Sequence, residues 1–254
     1  YKNLPVKIVP LYFKLDGTFP NHPADPIKHE NLAVLQKTVK KRNCDFGIAF
    51  DGDADRIFFI DENGADVNSS LISALIIKNI LTAKQSNASE LRFTRSQLPQ
   101  KIIYNLVCSR IVPETIKKYG GKPVIERVGH SFIKETMRKT KAIFACEHSA
   151  HYYYRDNYRA DSGIITSLIA AEIVSRENKP LSSLLGEFKK YFKIEETNAE
   201  VADKSKKINE VEMIYKKQNP LKISRLDGLT VEFKGWWLNV RPSNTEPLLR
   251  LNLE

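Results

Sequence analysis

Apolar and polar positions alternate with three different rhythms along the chain, and each rhythm predicts its own kind of layer. In residues 1–66, "VKIVPLYF" predicts a strand and "TFPNHPADP" a Pro-rich loop. "HENLAVLQKTVKKRN" sets Leu32, Leu35 and Val39 on one helical face. "CDFGIAF" then reads as a parallel core strand, and "RIFFID" as a second strand that turns at "DENG".

Residues 67–190 begin with Asn68 or Ser69 capping "LISALIIKNILTA", a helix apolar on so many sides that it must be buried. A polar stretch, "KQSNASELRFTRSQLPQ", reads as surface loop. Strand and helix then alternate: "KIIYNLVC", a short helix from Pro113 to Gly120, "KPVIERVGHS" running into "FIKETMRKT", "AIFACEHSAHYYY" running from strand into loop, and the helix "SGIITSLIAAEIVSREN". Such alternation predicts an α/β fold, with a mixed, mainly parallel sheet and helices on both faces. Residues 191–254 read differently, as the helix "KSKKINEVEMIYKKQ" and three short strands, "LDGLTVEF", "WWLNV" and "PLLRLNLE". That is an α+β pattern with an antiparallel sheet.

Composition narrows the function classes. The 254 residues are 42% hydrophobic and 28% charged, enough for more than one core. No apolar run approaches the roughly 18 residues that span a bilayer, and "YKNLPVKIVP" lacks the features of a signal peptide, so the expectation is a soluble cytoplasmic protein without membrane contact. Cys44, Cys108 and Cys146 are odd in number and in no C-x-x-C pair, which suits reduced thiols. The net charge of +10 lies in the middle segment, where 20 basic residues face 10 acidic ones. The basic residues are dispersed and no aromatic-basic motif accompanies them, so no nucleic acid is expected; a Lys-rich surface or a phosphorylated ligand remains.

"FGIAFDGDADRIFFID" concentrates the candidate chemistry. Asp51, Asp53 and Asp55 alternate at the carboxyl end of a core strand, where an extended backbone directs them to one side. Three adjacent carboxylates repel, and an all-oxygen set selects a hard cation, Mg²⁺ or Ca²⁺. Asp51, Asp53, Asp55 and Glu62 also fit EF-hand positions 1, 3, 5 and 12, but Arg56 stands where that loop needs glycine and the flanks read as strands. An acidic surface turn is the other alternative.

Four further groups have polar chemistry of their own. Arg56 can neutralise phosphoryl oxygens beside the carboxylates, or form a salt bridge with Asp51 or Asp55. His130 stands between a strand and a helix start, as an acid or base toward a hydroxyl or as a helix cap. Glu147, Ser149 and His151 alternate in "CEHSAH", which suits vicinal hydroxyls if the loop is extended, though a surface loop would look alike. Arg241, Ser243, Asn244 and Thr245 in "RPSNTEP" offer a phosphate cradle or an ordinary turn.

"DGDADR" resembles the metal loop of the α-D-phosphohexomutases, the phosphomannomutase and phosphoglucomutase family, and "VGHSFIK", "CEHSAH" and "RPSNTEP" resemble its third-domain turn, sugar loop and phosphate loop in the same order. The resemblance implies residues 1–66 as part of domain 2, 67–190 as domain 3 and 191–254 as part of domain 4. It implies a Mg²⁺ at Asp51, Asp53 and Asp55, catalytic roles for Arg56 and His130, sugar contacts from Glu147, Ser149 and His151, and phosphate contacts from Arg241, Ser243, Asn244 and Thr245. The reaction it implies is interconversion of hexose 1-phosphate and hexose 6-phosphate through a hexose bisphosphate. "CEHSAHYYY" with "RADSGI" favours the phosphomannomutase or phosphoglucomutase branch over phosphoglucosamine mutase.

Three positions depart from the family pattern. Cys146 and Ala150 stand where glycines are common, and Val107 falls where some members place a basic substrate contact, with Arg110 near enough to substitute. No T-A-S-H-N-P loop is present to carry the family's phosphoserine, since "TFPNHP" has no serine before its histidine. The expectation is therefore a fragment, inactive alone; a non-catalytic metal and sugar-phosphate binding protein is the alternative.

Overall fold

The computed structural model describes residues 4–14, 16–83, 99–194, 196–243 and 246–254, and arranges them around three sheets. A 3₁₀ turn at His29–Leu32 leads into α1, Ala33–Arg42. Lys40, Lys41 and Arg42 suit the negative end of its dipole, and Asn43 ends it in the left-handed conformation, φ 50°. Leu32 and Val39 pack on Ile60. Gly47 permits the close approach, because a Cβ there would stand 2.6 Å from Val39 Cγ2.

β1 (Phe46–Phe50) pairs antiparallel with β2 (Ile57–Asp61), and β2 antiparallel with β3 (Asp66–Val67). The parallel expectation for "CDFGIAF" is corrected here. The short connection 51–56 makes a hairpin, whereas a parallel neighbour needs a crossover. The strand expected in "VKIVPLYF" does not form among the described residues. Pro5 and Pro10 lack N–H donors, and Val6, Ile8 and Phe13 are exposed.

The second sheet has the order β5 (Lys122–Glu126), β4 (Lys101–Asn105), β6 (Phe144–Cys146), β7 (Tyr152–Tyr154). The first three are parallel and β7 is antiparallel to β6. β7 occupies what the pattern assigns to a loop. Its Tyr153 joins Ile103 and Ala145 under Ile133 and Met137 of α4 (His130–Thr140). Alternate residues Ile102, Phe144, Cys146, Tyr152 and Tyr154 face the opposite core, with α2 (Ser69–Thr82), α3 (Ile111–Lys118) and α5 (Gly163–Glu177). Both faces are thus covered, as the alternation predicts. Asn68 caps α2 by accepting from Ser70 N at 2.9 Å. Ile57 and Phe59 of β2 belong to the same core, so the first two sheets share one interior. Most of the expected polar surface loop, residues 84–98, lies outside the described residues.

After α6 (Leu181–Leu185) and a 3₁₀ turn at Gly186–Phe188, the connection reaches the antiparallel third sheet. Its order is β8 (Thr197–Glu200), β12 (Leu248–Leu253), β11 (Trp237–Pro242), β10 (Leu229–Glu232), β9 (Lys222–Ser224). The three central strands match the sequence pattern, while β8 and β9 flank them as short edges. Ile208 of α7 (Lys204–Lys216) closes the core over Leu229, Val231 and Leu238. Arg110 fastens this sheet to the second: its Nη2 donates to Phe233 O at 2.8 Å and Trp236 O at 3.0 Å. Among the described residues no helix is long and apolar enough to cross a membrane.

Candidate functional site

The acidic stretch leaves β1 as a tight turn. Ala54 N donates to Asp51 O at 3.3 Å, with Ala54 left-handed at φ 62°. Turn geometry, and not the expected extended alternation, gathers the carboxylates: oxygens of Asp51, Asp53 and Asp55 lie within 4.8 Å of one another. Asp51 accepts from Arg56 N at 3.1 Å and Arg56 Nε at 2.6 Å, so Arg56 makes the salt bridge weighed from sequence. Burial works to raise the Asp51 pKa, but the Arg56 bonds and charge outweigh it and hold the carboxyl low. Asp55 is pushed upward by burial and by the charges of Asp51, Asp53 and Asp161, against the pull of His151. A cation would relieve that crowding, and three oxygens fit a hard one.

Backbone contacts join this turn to the sugar loop. Ile57 N donates to Ala150 O at 3.2 Å, Arg56 and His151 form a β-bridge, and Gly163 N donates to Ala54 O at 3.1 Å. Gly163 allows α5 to begin here, since a Cβ would lie 2.9 Å from Ala54 O.

"CEHSAH" is also a turn rather than an extended loop. Ala150 N donates to Glu147 O at 3.2 Å and Glu147 N to His151 O at 3.0 Å, with Ala150 at φ 68°. The left-handed conformation gives a physical reason for the glycine common at this place in the family. Glu147, 2% exposed, turns inward and accepts from Asn105 Nδ2 at 3.1 Å, Gly129 N at 3.3 Å and the Tyr153 hydroxyl. Ser149 Oγ and His151 Nδ1 share a hydrogen bond of 2.8 Å, and His151 Nε2 lies 3.5 Å from Asp55 Oδ1. His151 therefore links the sugar loop to the acidic turn. Asp161 completes a second trio with Asp55 and His151, and pairs with Lys134 at 2.9 Å.

His130 stands exposed as the first residue of α4; Gly129, at φ 130°, holds the cap position. The bond from Gly129 N to Glu147 brings His130 next to the sugar loop in the chain, and its helix-cap alternative does not apply.

Arg241 and Ser243 lie at the end of β11, while Asn244 and Thr245 fall outside the described residues. Arg241 Nη2 donates to Glu196 at 2.8 Å, and Glu196 also accepts from Arg250 and Asn252, each at 2.9 Å. Burial opposes ionisation of Glu196, but these donors hold its pKa low. Among the described residues Arg241 Nε, which is buried, has no hydrogen-bond partner. Lys204 Nζ donates to Ser243 O and Glu246 O, both at 3.1 Å, and so braces both sides of the loop. Arg110 is committed to the carbonyls of the third sheet, which corrects its expected role as a substitute for a basic group at Val107. Asn105, Tyr153, Asp161 and Gly163 carry no individual signal in the sequence, although Tyr153 lies in "CEHSAHYYY", Asp161 and Gly163 in "RADSGI" and Asn105 in the strand "KIIYNLVC".

An α/β core with an acidic turn bridged to a Glu-x-Ser-x-His turn, and an antiparallel sheet presenting an arginine loop, defines the class. The sequence matches "Phosphoglucomutase/phosphomannomutase, alpha/beta/alpha domain II" over residues 1–64, domain III of the same family over 68–191 and its C-terminal domain over 196–254. The chain belongs to the phosphoglucomutase/phosphomannomutase family. It is 42% identical over 239 residues to a phosphomannomutase of Methanocaldococcus jannaschii, covering 94% of this chain and 50% of that protein. A phosphomannomutase of Escherichia coli K12 is 37% identical over 251 residues, 98% of this chain and 52% of that protein. The crystal structure of a phosphoglucomutase/phosphomannomutase family protein from Burkholderia thailandensis superposes with a TM-score of 0.84 at 29% identity, covering 97% of this chain and 50% of that one. The chain thus spans about half the length of the curated relatives it matches.

Proposed function

We propose that this chain is the metal-, sugar- and phosphate-handling part of a phosphomannomutase or phosphoglucomutase that moves a phosphoryl group between O1 and O6 of a hexose through a hexose bisphosphate. The observation that carries the reading is the bridge between the turns, which sets His151 against Asp55 in a chain matched along its length by this family. Segments 1–66, 67–190 and 191–254 would serve as its successive domains; the second and third sheets fall within the latter two, and the first sheet lies in 1–66 except for Val67 of β3.

Asp51, Asp53 and Asp55 would hold Mg²⁺, which when bound neutralises phosphoryl oxygens during transfer. Arg56, pinned through Nε, keeps its terminal N–H groups for the same oxygens. Ser149 and His151 present a hydroxyl and an imidazole to sugar hydroxyls, and buried Glu147 fixes their turn from behind. His130, exposed beside them, can hold or move a proton at a sugar oxygen. Arg241, Ser243, Asn244 and Thr245 would grip the phosphate that does not react.

Calorimetry with Mg²⁺, then with mannose 1-phosphate and glucose 1-phosphate, tests this on the wild type and on Asp53→Ala, whose side chain is exposed. The wild type should bind Mg²⁺ and should take sugar phosphate at roughly millimolar affinity, because ordering of the cleft opposes binding. Equal Mg²⁺ heats from both proteins would remove the metal assignment. Turnover of glucose 1-phosphate by this chain alone, with bisphosphate added, should be absent for want of the receiving serine.

A further inference from the structure

The connection between the second and third sheets carries a cation that neither turn accounts for. Lys193, half-buried, donates from Nζ to Val107 O at the carboxyl end of β4, and its ammonium stands 5.7 Å from the Trp237 ring centroid. Among the described residues no carboxylate pairs with it at ion-pair distance. Glu196 is taken by Arg241, Arg250 and Asn252. Glu254 Oε1 accepts from Arg110 N at 2.9 Å and Trp237 Nε1 at 3.1 Å, while its Oε2 is buried without a partner.

Two more basic groups have unused nitrogens among the described residues. His148 Nδ1 and Arg241 Nε are both buried and have no hydrogen-bond partner among the described residues. Lys193 and Arg241 both lie near enough for their charges to act on His148. Burial drives the Lys193 pKa down to about 8, with Arg241 pushing the same way and Cys108, Glu254 and Glu196 resisting. Burial also drives His148 down to about 3, so at neutral pH it is an uncharged ring. A half-buried ammonium that donates to a single carbonyl is costly in an empty fold and favourable against an anion.

We infer that Lys193, held at the carboxyl end of β4 by Val107 O, is a further ligand for the phosphate of the substrate, reaching it from the connection and not from either turn. This rests on the hexose phosphate reading above. It gives the connection a role in recognition.

The test uses the present chain with glucose 1-phosphate, inorganic phosphate and free glucose, titrated by NMR at pH 7 and pH 9, where a phosphate ester stays dianionic. Wild-type affinity for glucose 1-phosphate should fall about fivefold between these pH values, as a lysine titrating near 8 discharges, with inorganic phosphate compared at pH 9 only, where it too is dianionic. Lys193→Met should bind about tenfold more weakly at pH 7 and show no such pH dependence, as expected for a lost charged hydrogen bond. Lys193→Arg should recover most of the affinity while staying flat with pH, which a packing role would not produce. Free glucose binding should not distinguish the variants. If Lys193→Met holds phosphate as tightly as wild type but melts lower, Lys193 is a partner of Glu254 and the inference is overturned with the functional reading intact. A wild type that binds no sugar phosphate overturns both.

Discussion

The junction of the acidic and sugar turns differs from the basic groups at His148, Lys193 and Arg241 in how far the protein satisfies its own polar groups. At the first, Glu147 and Asp51 are buried and their oxygens accept from Asn105, Gly129, Tyr153 and Arg56, and among the described residues only Asp161 Oδ2 there is buried without a hydrogen-bond partner. At the second, among the described residues, His148 Nδ1 and Arg241 Nε are buried without partners and Lys193 Nζ donates only to a carbonyl. A saturated site is rigid before any ligand arrives, and its loss damages the fold. An unsaturated one gives up stability for affinity, and its loss damages binding.

The largest effect should come from breaking the saturated side. Glu147→Ala leaves a buried amide, a backbone N–H and a phenol without their acceptor, and at about 1 to 3 kcal/mol for each stranded group the total should reach about 3 to 5 kcal/mol. Burial and the nearby Glu147 carboxylate drive the Tyr153 phenol far above the usual tyrosine range, so it remains a donor at any working pH. Urea unfolding measures the cost. A variant within 1 kcal/mol of wild type would mean that the turn is held by its backbone alone.

On the unsaturated side, Arg241→Ala should weaken glucose 1-phosphate and mannose 1-phosphate alike, by about 1.5 to 3 kcal/mol for a charged hydrogen-bonding group. Its effect on unfolding should be smaller, because Glu196 retains Arg250 and Asn252. The contrast is sharpened by running both assays on both variants. If Arg241→Ala lowers stability as much as Glu147→Ala while leaving affinity unchanged, the two regions do not differ in kind.

How much of this could be read from the chain depended on the range of the interaction. Local signals were sound: Asn68 capped its helix, the periodicity placed α2, α4, α5 and α7, and the three aspartates were gathered. Local arguments about direction failed, because alternation assumes extended backbone and both polar loops are turns with an alanine at positive φ. The strand "CDFGIAF" carried no mark of antiparallel pairing, since a buried strand is apolar in either arrangement. Tertiary contacts were invisible for a plainer reason. Arg110 and Lys193 act across 123 and 86 positions, on Phe233 and Val107, and both accept the anonymity of backbone carbonyls.

Acid should expose the idle imidazole in the native state. His148 is held at about 3 when folded, first by burial and then by Lys193 and Arg241, whereas an unfolded histidine titrates near 6.5. The unfolded chain therefore binds a proton that the folded chain refuses, and the stability present above about pH 6.5 is lost as pH falls toward 3. Between pH 6.5 and 5, where most carboxylates stay ionised, wild type should lose about 1 to 2 kcal/mol more than His148→Met. Parallel denaturation curves at the two pH values give the difference. Identical losses would show that water or a rotated ring satisfies His148.

The smallest expected effect separates backbone strain from side-chain chemistry within the saturated junction. Ala150 sits at φ 68°, and its carbonyl accepts from Ile57 N, so the strained residue is also a tie between the two turns. A left-handed alanine costs about 1 kcal/mol, and glycine removes that cost but adds unfolded-state entropy of about 0.5 to 1 kcal/mol. Ala150→Gly should therefore stabilise the chain by no more than about 0.5 kcal/mol, with sugar phosphate affinity unchanged. Ala150→Val should do the reverse, because a β-branched residue tolerates this region poorly and the site is fully buried. Thermal melts of the pair give the stability order, and titration with glucose 1-phosphate shows whether the hydroxyl-facing geometry follows it. If Ala150→Gly loses affinity without losing stability, the alanine is restraining the turn for binding, and part of what looks like saturation in this junction is conformational selection.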